Sequence, residues 1–189
     1  PAFMPVGTLG TVRTLESQEV LSMGYQLILG NTYHLSLRPG IDVIRSFGGL
    51  KPFMNWPGAI LTDSGGFQIF SLSKIRRLDD DGVSFSAPED GGAIHRLTPE
   101  GALEIQHVLG SDIAMVLDDC PPHPCEPDRL KKAVERTMAW AKRSADWLTR
   151  GEFNGSVFAI TQGGTDLDLR KKCLDALSKH DFAGIAVGG

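Results

Sequence analysis

The regular alternation of short apolar runs with helical stretches constrains this chain more than any other feature. The runs cover residues 3–6, 26–29, 59–62, 112–117, 157–161 and 185–187, each six residues or fewer. That is the length of a buried strand and too short for a buried helix. Helical spacing of apolar residues fills most of the intervals: 14–23, 41–47, 99–109, about 128–150 and 165–179. Thr14 is expected to cap the first of these, and Gly24, Gly48, Gly110 and Gly151 are expected stops. Thr98-Pro99-Glu100 is a compact start signal: a cap, a proline in the first turn and an acid at the positive end of the helix dipole.

Strands separated by helices pair in parallel through right-handed crossovers. Two architectures satisfy that rhythm, a (β/α)8 barrel and a doubly wound sheet. The polar and glycine residues cluster at the carboxyl ends of the expected strands: Gly7, Gly30-Asn31, Asp63, Asp118-Asp119, Gln162-Gly163-Gly164 and Gly188-Gly189. Both folds place their sites there. A barrel gathers its site from many strands, and here every strand contributes. The turn Gly7-Thr8-Leu9-Gly10 lacks the third glycine of a dinucleotide fingerprint. The expected fold is therefore α/β, a (β/α)8 TIM barrel. A full barrel takes roughly 250 residues, so it is expected to be truncated after about six strands.

One segment breaks the rhythm. Residues 83–86 and 93–97 flank Pro88-Glu89-Asp90-Gly91-Gly92, a hairpin signature that predicts an antiparallel insert over about 83–97. Lys74, Arg76 and Arg77, followed by three aspartates, are expected in a solvated surface loop. With no repeat, low-complexity tract or linker, residues 1–189 are expected to form a single domain.

Composition excludes several classes. Hydrophobic residues make up 41% and charged residues 22%, and no run approaches the roughly 18 apolar residues of a membrane span. Three cysteines, an odd number, disfavour a disulfide framework and favour a reducing, cytoplasmic setting. The net charge of −4 gives no global attraction for nucleic acid, so such a partner needs a local patch or residues outside this chain.

The candidate chemistry starts at Thr62-Asp63-Ser64-Gly65-Gly66-Phe67-Gln68. A strand ending in a carboxylate and a glycine turn brings an acid and bare backbone to one point. The bland alternative is that Asp63-Ser64 caps a following helix. Asp63 and Asp118 converge from two strand ends, and paired carboxylates serve acid/base chemistry, glycosyl transfer included. Asp119 is expected to cap or to pair with an arginine. Gln162 carries an acceptor and two donors, suited to the edge of a base. Gly188-Gly189 can offer backbone N–H groups to a ligand oxygen, and Phe67 can stack on a planar ligand. Cys120-Pro121-Pro122-His123-Pro124-Cys125 offers three metal-ligand types where a closed site wants four. It is read as a proline-stiffened loop, with no metal ligands assigned.

Five stretches together resemble the tRNA-guanine transglycosylase family: residues 3–8, 29–35, 61–68, 110–113 and 186–189. They read Phe-Met-Pro-Val-Gly-Thr, Leu-Gly-Asn-Thr-Tyr-His-Leu, Leu-Thr-Asp-Ser-Gly-Gly-Phe-Gln, Gly-Ser-Asp-Ile and Ala-Val-Gly-Gly. The resemblance spans the chain and implies a (β/α)8 barrel. It implies exchange of a guanine in tRNA, at the anticodon wobble position in the bacterial branch, for a 7-deazaguanine (preQ1 or queuine) in queuosine biosynthesis. Carried over residue by residue, Asp63 matches the acid/base aspartate, and Ser64, Gly65, Gly66 and Phe67 line the base pocket. Asp118 and Gln162 read the purine edge, with Gly188 and Gly189 beside them. Val6, Leu29 and Asn31 lie around the nucleotide, and Cys120 points to the bacterial branch. The resemblance further implies a homodimer when full length and a zinc ion whose ligands, like the nucleophilic aspartate, lie beyond Gly189. The chain by itself is then expected to be unable to complete the reaction. Phe67 stands where many relatives carry tyrosine. Two alternatives stand beside this one: a non-catalytic paralogue serving as partner subunit, and an unrelated barrel glycosidase, which would need several exposed aromatics.

Overall fold

The structure is a computed structural model that describes residues 2–72 and 74–189. Strands β1 (Leu27–Gly30) and β2 (Ala59–Thr62) come first. A trio follows: β3 (Lys74–Asp79), β4 (Gly82–Ser86) and β5 (Ile94–Leu97). Then come β6 (Ile113–Met115), β7 (Ser156–Thr161) and β8 (Gly184–Val187). The helices are α1 (Ser17–Ser22), α2 (Thr32–Leu35), α3 (Ile41–Ser46), α4 (Leu50–Met54), α5 (Gly66–Leu72), α6 (Pro99–Leu109), α7 (Pro127–Leu148) and α8 (Leu167–Leu177).

A five-stranded, all-parallel sheet has the order β1-β2-β6-β7-β8. That order follows the chain. A doubly wound sheet reverses direction at a switch point, and none occurs among these strands. The first expected strand, 3–6, is corrected to a single parallel bridge between Val6 and Leu29. Its pairing is short because Pro5 has no N–H to donate. Only its carbonyl takes part, accepting from Leu29 N–H at 2.9 Å, and Gly7 N–H returns to Leu29 O at 2.7 Å.

Alternation within the strands sets the packing. Ile28 and Ile60 turn to helices α1, α3 and α4, where Val20, Ile44 and Leu50 complete a buried cluster. Ala114, Val116, Val157 and Ala159 face α6, α7 and α8 through Leu103, Val134 and Cys173. Gln106, fully buried on α6, binds both elements. Its Nε2 donates to Ala102 O and Met115 O, and its Oε1 accepts from Met115 N–H and Thr62 Oγ1, each at 2.9 Å.

The insert is antiparallel, as expected, but larger. The basic residues Lys74 and Arg77 lie in β3, a third strand paired with β4, rather than in a loop. The Arg76 side chain lies outside the described residues. Leu78 packs under the strand while Arg77 faces solvent, an alternation that the surrounding charges obscure. Trp140 of α7, fully buried, packs against the insert and donates to Asp80 O at 2.7 Å. Thr14 does not cap α1: its backbone is left-handed (φ 66°), and Glu16 and Glu19 form a capping box instead. No helix among the described residues is long and apolar enough to cross a membrane.

Candidate active site

The carboxyl ends of β2, β6, β7 and β8 converge on one cavity of about 190 Å³. Asp63, Ser64, Gly65, Phe67, Gln68, Asp118, Cys120, Ile160, Gln162, Gly188 and Gly189 line it. Nine of the residues singled out from sequence thus meet in one place. Gly66 borders Asp118, since a Cβ there would sit 3.0 Å from the Asp118 carbonyl. Asn31 is placed beneath Asp63. Val6 and Leu29 pair with each other at the rim of β1 and are not brought to the cavity wall.

Asp63 sits one residue past β2 and is held by four donors. Oδ1 accepts from the backbone N–H of Thr32 (3.0 Å) and of Gly65 (3.1 Å). Oδ2 accepts from Asn31 Nδ2 (2.5 Å) and Gln68 Nε2 (3.1 Å). Gly65 makes its contact from a left-handed backbone, φ 80°, that a side chain would strain. Burial pushes the Asp63 pKa up despite these hydrogen bonds, which pull it down. The helix-capping alternative holds at the same time: Ser64 Oγ accepts from Gly66 N–H at 3.2 Å at the start of α5.

Asp118 is buried at the end of the segment after β6. Its Oδ2 accepts from Gln162 Nε2 at 2.6 Å and its Oδ1 from Ser64 Oγ at 3.3 Å. Burial raises its pKa to about 6, with the neighbouring Asp119 charge a smaller contribution in the same direction. Asp119 points away and has no exposed surface. Arg129 grips it through two donors, at 2.9 and 2.5 Å, and Arg136 through a third at 2.6 Å. That is the arginine pairing expected for it.

Gln162 differs from its expected use in one respect. Its amide nitrogen is spent on Asp118, and its buried Oε1 has no partner among the described residues. Gly188 is corrected as a backbone donor. Its N–H already goes to Thr161 O at 2.9 Å, and glycine is required there by close approach: a Cβ would lie 2.5 Å from that oxygen and 2.7 Å from Gln162 Nε2. Phe67 is 63% exposed, so one ring face is open for stacking. The sequence reasoning missed Gln68, Thr32 and Ile160 as parts of the site. Gln68 lies five residues beyond Asp63, in the first turn of α5 and within the stretch already singled out, which is a usable signal; the other two carry none.

The model of the family described as queuine tRNA-ribosyltransferase matches residues 1–189. The chain belongs to that family. It is similar to a queuine tRNA-ribosyltransferase of Gloeobacter violaceus, 50% identical over all 189 residues and 49% of the relative's length. One from Bacillus licheniformis is 52% identical over the same residues, again 49% of its length. One from Bacillus subtilis is 51% identical over the whole chain and 49% of its own. The chain thus spans about half the length of the curated relatives it matches.

The zinc that resemblance to this family implies finds no seat here. Among the described residues, no group of three or more His, Cys, Asp or Glu side chains could hold a metal ion. Cys120 and Cys125 are free thiols on the proline-rich segment before α7. Burial, then the Asp118 charge, raises the Cys120 pKa, so its thiol is kept neutral beside the carboxylate.

Proposed function

We propose that this chain supplies the base-recognising half of a transglycosylase that exchanges a guanine in tRNA for a 7-deazaguanine. The observation that carries the proposal is Asp118, a buried carboxylate on the cavity wall with spare lone pairs. Guanine presents N1–H and N2–H donors side by side, and one carboxylate accepts both. Its O6 needs a donor, and the glycine pair after β8 is adjacent. Seven-deazaguanine keeps that edge, so one pocket serves both partners of an exchange.

Asp63 is the proton-transfer group. It faces the same cavity from the neighbouring strand, and burial moves its pKa towards the range where an acid can also act as a base. Replacing a base at C1′ with retention takes two displacements through a sugar–enzyme intermediate. Neither aspartate is given the nucleophile's role here: Asp118 is committed to the base, Asp63 to the proton.

The same proposal places the sheet in a (β/α)8 barrel, in one domain. Its strands follow one another in chain order, and all the site residues stand at one end of them. A single exposed aromatic at the cavity suits one planar base better than a run of sugars. Exchange of labelled guanine into tRNA by the full-length protein is the test. Incorporation is expected, and a full-length protein that neither exchanges nor binds guanine would overturn the assignment.

A further inference from the structure

We infer that Arg170 is a positioning residue for base recognition, acting through the Gly188–Gly189 peptide. This rests on the base-exchange function proposed above. Arg170 lies in α8, outside the cavity wall, and its guanidinium spans two loops. Its Nε donates to Gly164 O at 2.6 Å, in the loop after β7. Its Nη2 donates to Gly188 O at 2.8 Å, in the loop after β8. Gly164 N–H joins the loops a second time, donating to Gly189 O at 3.1 Å.

The planarity of the peptide gives this brace its consequence. Among the described residues, the cis peptides are Arg38-Pro39 and His123-Pro124 alone, so the 188–189 peptide is trans. In a trans peptide the C=O and the N–H point in opposite directions. Arg170 holds the Gly188 oxygen on its own side, and the Gly189 N–H is thereby turned away from α8. Gly189 lines the cavity and Arg170 does not. The N–H is thus presented to the cavity, where the oxygen at position 6 of a purine needs a donor. Without the brace this glycine-only peptide is free to rotate, and the rotated form offers that oxygen a carbonyl instead.

Arginine suits the task because its planar fork reaches two acceptors in fixed geometry, which a lysine ammonium does not reproduce. Gly163 leaves the room: a Cβ there would lie 2.7 Å from the Arg170 backbone nitrogen and 2.8 Å from its Cγ.

The test compares Arg170→Ala and Arg170→Lys with wild type in the full-length protein. Two ligands are titrated: guanine, and 2-aminopurine, which keeps the ring and the exocyclic amine but lacks both the oxygen at position 6 and the N1–H, so it binds more weakly throughout and is compared only with itself across the variants. Guanine affinity is expected to fall about tenfold in both variants, the loss of one hydrogen bond, while 2-aminopurine affinity stays unchanged. Added guanidinium ion is expected to restore guanine binding in Arg170→Ala. Equal losses for the two ligands would mean a collapsed pocket and would overturn the inference, as would no loss for guanine. A wild type that binds no guanine would instead bring down the base-exchange function itself.

Discussion

At the scale of single residues, Asp63 and Asp118 share a cavity and differ in how they are held. Asp63 is enclosed by four donors, whereas Asp118 keeps lone pairs for a ligand. Their substitutions should separate. Asp118→Asn sets an amide N–H₂ against one of guanine's donors, and should cost on the order of 2–4 kcal/mol of base binding. Asp63→Asn should leave base affinity near wild type and slow exchange by roughly 10²–10⁴-fold. Calorimetry beside exchange rates distinguishes them, and equal loss of affinity in both would refute the division. Protonation gives a second expectation. Only the charged Asp118 accepts both donors, so guanine affinity should be level above about pH 6 and fall about tenfold per unit below it. Stability runs the other way. The folded-state pKa of Asp118 lies above its ordinary value of 3.8, so the folded protein holds an extra proton between there and about 6. That contribution is complete below the ordinary value and is lost as pH rises through about 6. Thermal unfolding of wild type against Asp118→Asn across this window should isolate it, with the difference shrinking as pH falls.

At the scale of elements, the strands that carry the site were legible, as were α1 and α3 in outline, and helices α2, α4 and α5 were not. Residues 59–62 emerge as β2 with the expected bounds, and the expected runs at 157–161 and 185–187 each begin one residue earlier. The run expected over 112–117 shortens to Ile113–Met115. Asp112 still meets both neighbours through its backbone, its N–H donating to Ile60 O at 2.9 Å and its carbonyl accepting from Ser156 N–H at 2.8 Å, and its carboxylate also accepts from Ile60 N–H and Lys51, each at 2.7 Å. Helices α2, α4 and α5 are four to seven residues long, too short to leave a periodic signature. Lys74–Asp79 hid as a strand because four of its six side chains are charged. Gln106 was equally invisible, since a buried amide reads like any polar residue on a helix. Every hydrogen-bonding site it uses binds α6 to β2 or β6, or closes its own helical turn. Gln106→Leu would strand the Met115 backbone pair in the core and should cost about 2–4 kcal/mol. Urea unfolding measures it, and a loss under about 1 kcal/mol would show that water replaces the amide.

At the scale of the whole molecule, Trp140 is one of the side chains that fasten the insert to the parallel sheet's helices, beside Tyr33, Ile69 and Ala102. The ring fills the contact, and its N–H meets Asp80 O, which Arg143 also reaches at 3.0 Å. The carbonyl therefore keeps a partner when the indole goes. Trp140→Phe should cost little more than about 1 kcal/mol, whereas Trp140→Ala should cost about 3–5 kcal/mol through the cavity it leaves. Denaturant midpoints for the two variants decide between packing and hydrogen bonding as the fastening. The order of the parallel sheet has a consequence of another kind. Asp63, Asp118, Gln162 and Gly189 follow four strands that are neighbours in that order, and neighbouring strands lie about 4.8 Å apart. The site is a graduated scale with one functional group at each mark. A lineage can exchange the group at one mark by altering one loop while the other marks stay in place, so a change of preferred base is reachable by small, separate steps.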